Sequence, residues 1–199
     1  MSTENKKEIR NATYQVTSDE EKRTVEGYAL LFDTKSDALS FEEVIERGAL
    51  NGVIAKSDVF ALLNHSQSRG ILARSKKGSG SLTLTVDSKG LKYSFEAPNT
   101  PLGDELLENI RRGEIDESSF AFRVEKDTWE KKSDGNWKRT IQKIEEIYDV
   151  SPVYSAAYST TSVYTRGKEQ AEEEERKQQD NEKYNSEDYW NNIENQLNI

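Results

Sequence analysis

The run Ile115-Asp116-Glu117-Ser118-Ser119-Phe120-Ala121-Phe122-Arg123-Val124 puts Phe120, Phe122 and Val124 at every second position. That is the period of a β-strand with one buried face, so Ser119, Ala121 and Arg123 belong to the other side. Ser119 is thereby expected as a hydroxyl on a rigid element, facing outward. A serine hydroxyl becomes a nucleophile when a base takes its proton, and at neutral pH the usual base is a neutral imidazole. The chain has one histidine, His65.

Working back from this strand, Thr100 and Pro101 open a helix whose Leu102, Leu106, Leu107 and Ile110 share a face and which Gly113 ends. Leu82, Leu84 and Val86, then Leu91, Tyr93 and Phe95, alternate with polar residues around Asp87-Ser88-Lys89-Gly90, which predicts a hairpin. Residues 71–74 read as a strand followed by a turn at Lys77-Gly78-Ser79-Gly80. The largely apolar run 58–65 ends at His65, where a strand would leave the core for a loop. Ser40-Phe41-Glu42-Glu43 has the spacing of a capping box, predicting a short helix through Ile45 that Gly48 stops. Residues 25–32 read as a strand with Gly27 marking a bulge, and residues 1–10 as a polar, mobile start.

Forward from Val124 the alternation loosens through Trp129 and turns at Ser133-Asp134-Gly135-Asn136. Trp137, Arg139 and Ile141 then form the arm of another hairpin, leading to Asp149-Val150-Ser151-Pro152-Val153-Tyr154, with Ser162-Val163-Tyr164 closing the structured part. Strands dominate, helices are few and short, and no βαβ alternation occurs. The predicted class is mainly β: an antiparallel β-barrel or sandwich with a few short packed helices, plus a polar C-terminal tail.

Composition divides the chain. Of the net charge of −9, residues 168–199 carry −6, from ten acidic and four basic side chains. The expected organisation is a polar segment 1–10, a domain 11–167 and an acidic tail 168–199. In the tail, residues 169–179 favour helix without an apolar face, and Tyr189, Trp190, Ile193 and Leu197 make a short amphipathic end suited to docking. The absence of cysteine excludes disulfides and thiolate catalysis, and one histidine makes a zinc site improbable, so neither metal nor cofactor is expected. The acidic balance argues against a nucleic-acid partner. No window approaches the ~18 apolar residues of a membrane span, and residues 1–10 lack the apolar run of a signal peptide, so a soluble cytoplasmic protein is expected.

The ordered set Glu26-Gly27-Tyr28-Ala29-x-x-Phe32, Glu46-x-Gly48-Ala49-Leu50, Leu63-Asn64-His65, a helix running into Ser118-Ser119-Phe120-Ala121-Phe122, and Asp149-Val150-Ser151-Pro152-Val153 resembles the prohead maturation proteases of tailed bacteriophages, relatives of the herpesvirus assembly proteases. The resemblance implies a serine endopeptidase acting inside the immature capsid in the host cytoplasm. Its substrate would be the scaffolding part of the major capsid protein, and often the protease itself, with self-association a further possible contact. Position by position, His65 matches the family's catalytic histidine, Ser119 its nucleophile and Asp149 an acidic position, often glutamate, that orients the imidazole.

Three positions depart from the family pattern: Ala121 where glycine is common, Ser118 where a non-serine residue is usual, and Ser66 where aspartate is frequent. Ser118 is a rival hydroxyl, but alternation puts it on the Phe120 face, away from Ser119. Backbone N–H groups are expected to hold the oxyanion, with Arg123 as a further contributor. Without the family pattern, His65 reads as an ordinary loop histidine, Ser119 as an outward polar residue and Asp149 as a turn residue. The alternative function is a non-catalytic capsid-assembly or scaffold-binding protein with a degenerate site. A general esterase would show Gly-x-Ser-x-Gly around its nucleophile, which this chain lacks.

Overall fold

The computed structural model describes residues 7–12, 16–19, 22–34, 41–154, 173 and 175–177. The chain divides into two units, Met1–Thr160 and Thr161–Ile199. The expected tail boundary at 167/168, the stripe at 189–197 and the closing strand at 162–164 lie outside the described residues. Within the second unit, residues 175–177 are helical and Lys177 pairs with Glu173 at 2.8 Å, one turn away.

The first unit is built on two sheets. One is a mixed, seven-stranded sheet containing β1 (Glu8–Ala12), β4 (Glu42–Ile45), β5 (Asp58–Ala61), β6 (Ala73–Lys76), β7 (Ser79–Gly80), β10 (Glu117–Lys131) and β11 (Trp137–Val153). Its order is β1-β10-β11-β5-β6-β7, with β4 also on β11. The other is antiparallel, β2-β3-β9-β8, from β2 (Thr17–Asp19), β3 (Thr24–Leu31), β8 (Leu82–Val86) and β9 (Gly90–Glu96). This is a β-rich, sandwich-like fold with no closed barrel and, among the described residues of this unit, one α-helix, α1 (Pro101–Arg111).

The core lies between the sheets and is filled by the alternating residues. Phe120 and Phe122 stack at 4.5 Å and are fully buried with Tyr93, Leu91, Ile141, Ile144 and Ile147. The sheets come close together at Gly27, where an added Cβ would lie 2.6 Å from the Tyr93 hydroxyl and 2.9 Å from Ser118 Oγ. Gly27 is therefore a site of close approach, and the bulge in β3 falls between Tyr28 and Leu30 instead. The Tyr93 hydroxyl and Ser118 Oγ share a buried hydrogen bond of 2.8 Å between the sheets, and burial pushes the phenol's pKa up.

The hairpin β8–β9 and the helix form where the alternation and the cap predict them. The Thr100 side chain accepts from the Gly103 amide, Pro101 opens α1, and Gly113 takes a left-handed φ of 73° just past its end. In the turn between β6 and β7, Lys77 and Gly78 both have positive φ (55° and 81°), the requirement of a two-residue hairpin turn with the twist of its strands.

Two expectations are corrected. The helix predicted from Ser40 through Ile45 is β4, paired in parallel with Lys138 to Ile141, and Ser40 lies outside the described residues. Phe41, Glu43 and Ile45 are its buried positions, so the period is two; Gly48 sits inside a 3-10 turn, Arg47–Leu50. The polar start 1–10 is a strand from Glu8 onward, paired with β10. Glu8, Arg10, Glu43 and Arg139 are all buried and neutralise one another. Arg10 donates to both oxygens of Glu43 and to Glu8, and Arg139 donates to Glu8, Glu43 and Asp127. Burial alone would raise the Glu8 carboxyl's pKa, but the Arg139 hydrogen bond and the two guanidinium charges hold it below its ordinary value.

Candidate active site

β10 and β11 place three of the polar side chains. In their antiparallel register Ser119 faces Ser151 and Ala121 faces Asp149, so these four residues lie beside one another on the face opposite the aromatic core. β11 also pairs in parallel with β5 through Asp149 and Val150. Beyond β5 the chain stays on β11, with the Leu62 amide on the Val150 carbonyl (3.1 Å) and the Asn64 amide on that of Pro152 (3.0 Å). Asn64 and His65 then both turn left-handed, with φ of 51° and 58°. Asn and His are among the non-glycine residues that enter this region most readily. The turn swings the imidazole back over the β10–β11 face.

His65 Nε2 is 2.7 Å from Ser119 Oγ, and His65 Nδ1 is 2.5 Å from Asp149 Oδ1. Asp149 Oδ1 also accepts from Ser151 Oγ at 2.9 Å, while its Oδ2 accepts from Lys7 Nζ at 3.1 Å. Burial alone would push the Asp149 carboxyl up. The His65 hydrogen bond and charge, the Lys7 charge and the Ser151 hydrogen bond together hold it below its ordinary value of 3.8. It is thus ionised at neutral pH and can only accept, so Nδ1 carries a proton toward it, which in the neutral imidazole leaves the lone pair of Nε2 for Ser119.

Asp149 and Ser119 are buried and His65 is 18% exposed, so the imidazole is the member of the set that meets solvent. Ser119 is not the outward hydroxyl that alternation alone predicts. It is fully buried, because β1 runs along the edge of β10 and the Arg10 carbonyl accepts from Ser119 Oγ at 2.9 Å. The one hydroxyl proton therefore has two acceptors, His65 Nε2 and the Arg10 oxygen.

The three residues singled out in the sequence come together although 54 and 84 positions separate His65 from the other two. Ser118 goes to Tyr93 on the opposite face, which separates the two adjacent hydroxyls. Ala121 is buried between Ile9 and Asp149, and Ser66 meets Ser68 at 3.1 Å in an exposed turn. Arg123 is not at the site: its guanidinium pairs with Glu145 and Glu146 and lies over the Tyr148 ring, and the expected oxyanion contribution is withdrawn. Sequence reasoning missed Ser151 and Lys7. Ser151 was findable, since it stands two residues from Asp149 on one strand and must share its face. Lys7 had no local signal. Among the described residues no group of three potential metal ligands comes together.

An arrangement of hydroxyl, imidazole and buried carboxylate in a continuous hydrogen-bonded line can move a proton from oxygen to nitrogen and stabilise the imidazolium that results. A comparison with solved structures finds the capsid assembly protease gp21 of bacteriophage T4, with a TM-score of 0.50 and 11% identity, covering 77% of this chain and 99% of that one. At that identity the likeness is one of fold. The search of curated proteins returns no match. The family model described as caudovirus prohead serine protease matches residues 11–177. That span takes in the whole of both sheets apart from the first residues of β1 and amounts to far more than half of the sequence, so the chain belongs to the caudovirus prohead serine protease family.

Proposed function

We propose that this protein is the serine endopeptidase of capsid maturation, with Ser119 as nucleophile, His65 as general base and Asp149 as the carboxylate that orients the imidazole. The observation that carries the reading is the unbroken line Ser119 Oγ, His65 Nε2, His65 Nδ1, Asp149 Oδ1 at 2.7 and 2.5 Å. Ser119 Oγ bonds to the scissile carbonyl carbon as its proton passes to His65 Nε2. The carbonyl π pair moves to oxygen, which backbone N–H groups would stabilise. Collapse of the tetrahedral species breaks the C–N bond, and His65 returns the proton to the departing amine. Water then repeats the sequence on the acyl-enzyme and frees Ser119.

The substrate assigned here is the scaffolding part of the major capsid protein, and the protease itself, inside the immature shell in the host cytoplasm. Confinement raises the local substrate concentration, so modest catalytic power suffices. One observation favours the non-catalytic alternative: Ser119 is fully buried and its hydroxyl also meets the Arg10 carbonyl. Coexpression with the cognate major capsid protein, followed by mass spectrometry of the products, separates the two readings. Cleavage by the wild type that disappears in Ser119→Ala and His65→Ala is expected. An uncut capsid protein, or equal cleavage by Ser119→Ala, overturns the assignment.

A further inference from the structure

Ser151 is fully buried, and among the described residues its hydroxyl meets two side chains and no backbone carbonyl, the ordinary partner of a buried serine. It sits 2.9 Å from Asp149 Oδ1 and 3.2 Å from His65 Nδ1, and its Cα is paired across the sheet with that of Ser119. The proton count fixes the roles. Nδ1 carries its proton toward Asp149 and has no lone pair to offer, so the Ser151 hydroxyl donates to the carboxylate. A lone pair of Ser151 Oγ is left facing the Nδ1–H. The three groups close a ring on the far side of the imidazole from Ser119.

Resting on the assignment of Ser119, His65 and Asp149 above, we propose that Ser151 is a positioning residue of the proteolytic reaction. It acts in two ways. With Ser151 on Oδ1 and Lys7 on Oδ2, both carboxylate oxygens are tied, so Asp149 cannot rotate away from the imidazole. When His65 takes the Ser119 proton, the Nδ1–H of the imidazolium finds a second acceptor already in place, without a water molecule having to enter a buried site. Because Asp149 and Ser151 stand two apart on β11, a single strand presents both groups with no loop to order.

The chain's single histidine makes this measurable, since protein labelled with ¹⁵N-histidine gives one Nδ1–H resonance, assigned without ambiguity. In full-length Ser151→Ala that resonance shifts and exchanges with water faster. Initial rates on the cognate major capsid protein give a kcat about tenfold lower, in the lower part of the range for removing an orienting partner, with KM within about twofold. Ser151→Thr, which keeps the hydroxyl, recovers most of both. Either readout staying at the wild-type value in Ser151→Ala overturns the positioning role. Should Ser151→Ala not fold, Ser151→Cys keeps the volume and weakens the donor: an intermediate change in both readouts supports the role and none overturns it. Ser119→Ala is run alongside: continued cleavage there removes the functional assignment, while the resonance still decides what Ser151 does.

Discussion

Asp149 shows how much one side chain depends on what surrounds it. Three donors converge on a carboxylate that burial would otherwise protonate, and the result is an anion inside a protein. Asp149→Asn keeps the shape but turns an acceptor into a donor, which forces the imidazole proton onto Nε2 and leaves no base for Ser119. The expected loss of capsid-protein cleavage is about 10⁴-fold, by the tautomer effect seen in Ser-His-Asp proteases, with a lower melting temperature at neutral pH because the paired carboxylate is gone, but a far-UV spectrum that still reports the folded sheets. Ser118 makes the complementary test. Ser118→Ala should retain cleavage while costing about 1–3 kcal/mol in urea unfolding, because it strands the buried Tyr93 hydroxyl. Abolished cleavage in folded Ser118→Ala would mean that the wrong serine has been assigned.

At the scale of the element, the informative case is β4. Its capping-box spacing is a real local signal for helix, and the alternation Phe41, Glu43, Ile45 was hidden because a glutamate stands in the buried set. Glu43 enters the core only because Arg10 and Arg139, from strands far away in sequence, neutralise it. Glu43→Ala leaves two buried guanidinium groups short of a partner and should cost about 3–5 kcal/mol, measured by chemical denaturation. A loss under ~1 kcal/mol would show the cluster to be dispensable. β10 was obscured differently. Register shifts at Ala121/Phe122, Arg123/Val124, Val124/Lys126 and Lys126/Asp127 break the alternation, so one continuous strand reads as a strand that fades. The β8–β9 hairpin was legible because its alternation, its turn and its pairing are all local.

For the molecule as a whole, acid should be the sensitive condition. The Glu8 and Asp149 carboxyls are held below their ordinary values of 4.5 and 3.8, so the unfolded chain binds more protons than the folded one at acid pH. Their stabilisation is therefore complete above those values and is lost as pH falls through the lower folded ones. Thermal melts should show Tm level from pH 7 to about 5 and falling steadily below about 4.5, with the fall reduced in Glu8→Gln. A flat profile down to pH 3 would contradict the ionic account of these strands. The acidic tail carries a separate expectation, since it holds −6 of the net −9. Deleting residues 168–199 should lower the copies of protease packaged per prohead, counted by quantitative mass spectrometry; unchanged packaging would remove the docking role.

Strand periods, a helix cap and turn residues are properties of neighbours along the chain, so the sequence by itself determined a mainly β fold, and its ordered resemblance to the prohead proteases pointed to His65, Ser119 and Asp149. Only the tertiary structure decided that they meet, that Ser119 lies buried with β1 alongside its strand, and that Ser151 and Lys7 complete the carboxylate's partners. The reason is physical. Hydrogen bonds between strands join residues that no local pattern relates, and whether a polar side chain is buried depends on the charge brought to it from elsewhere in the chain.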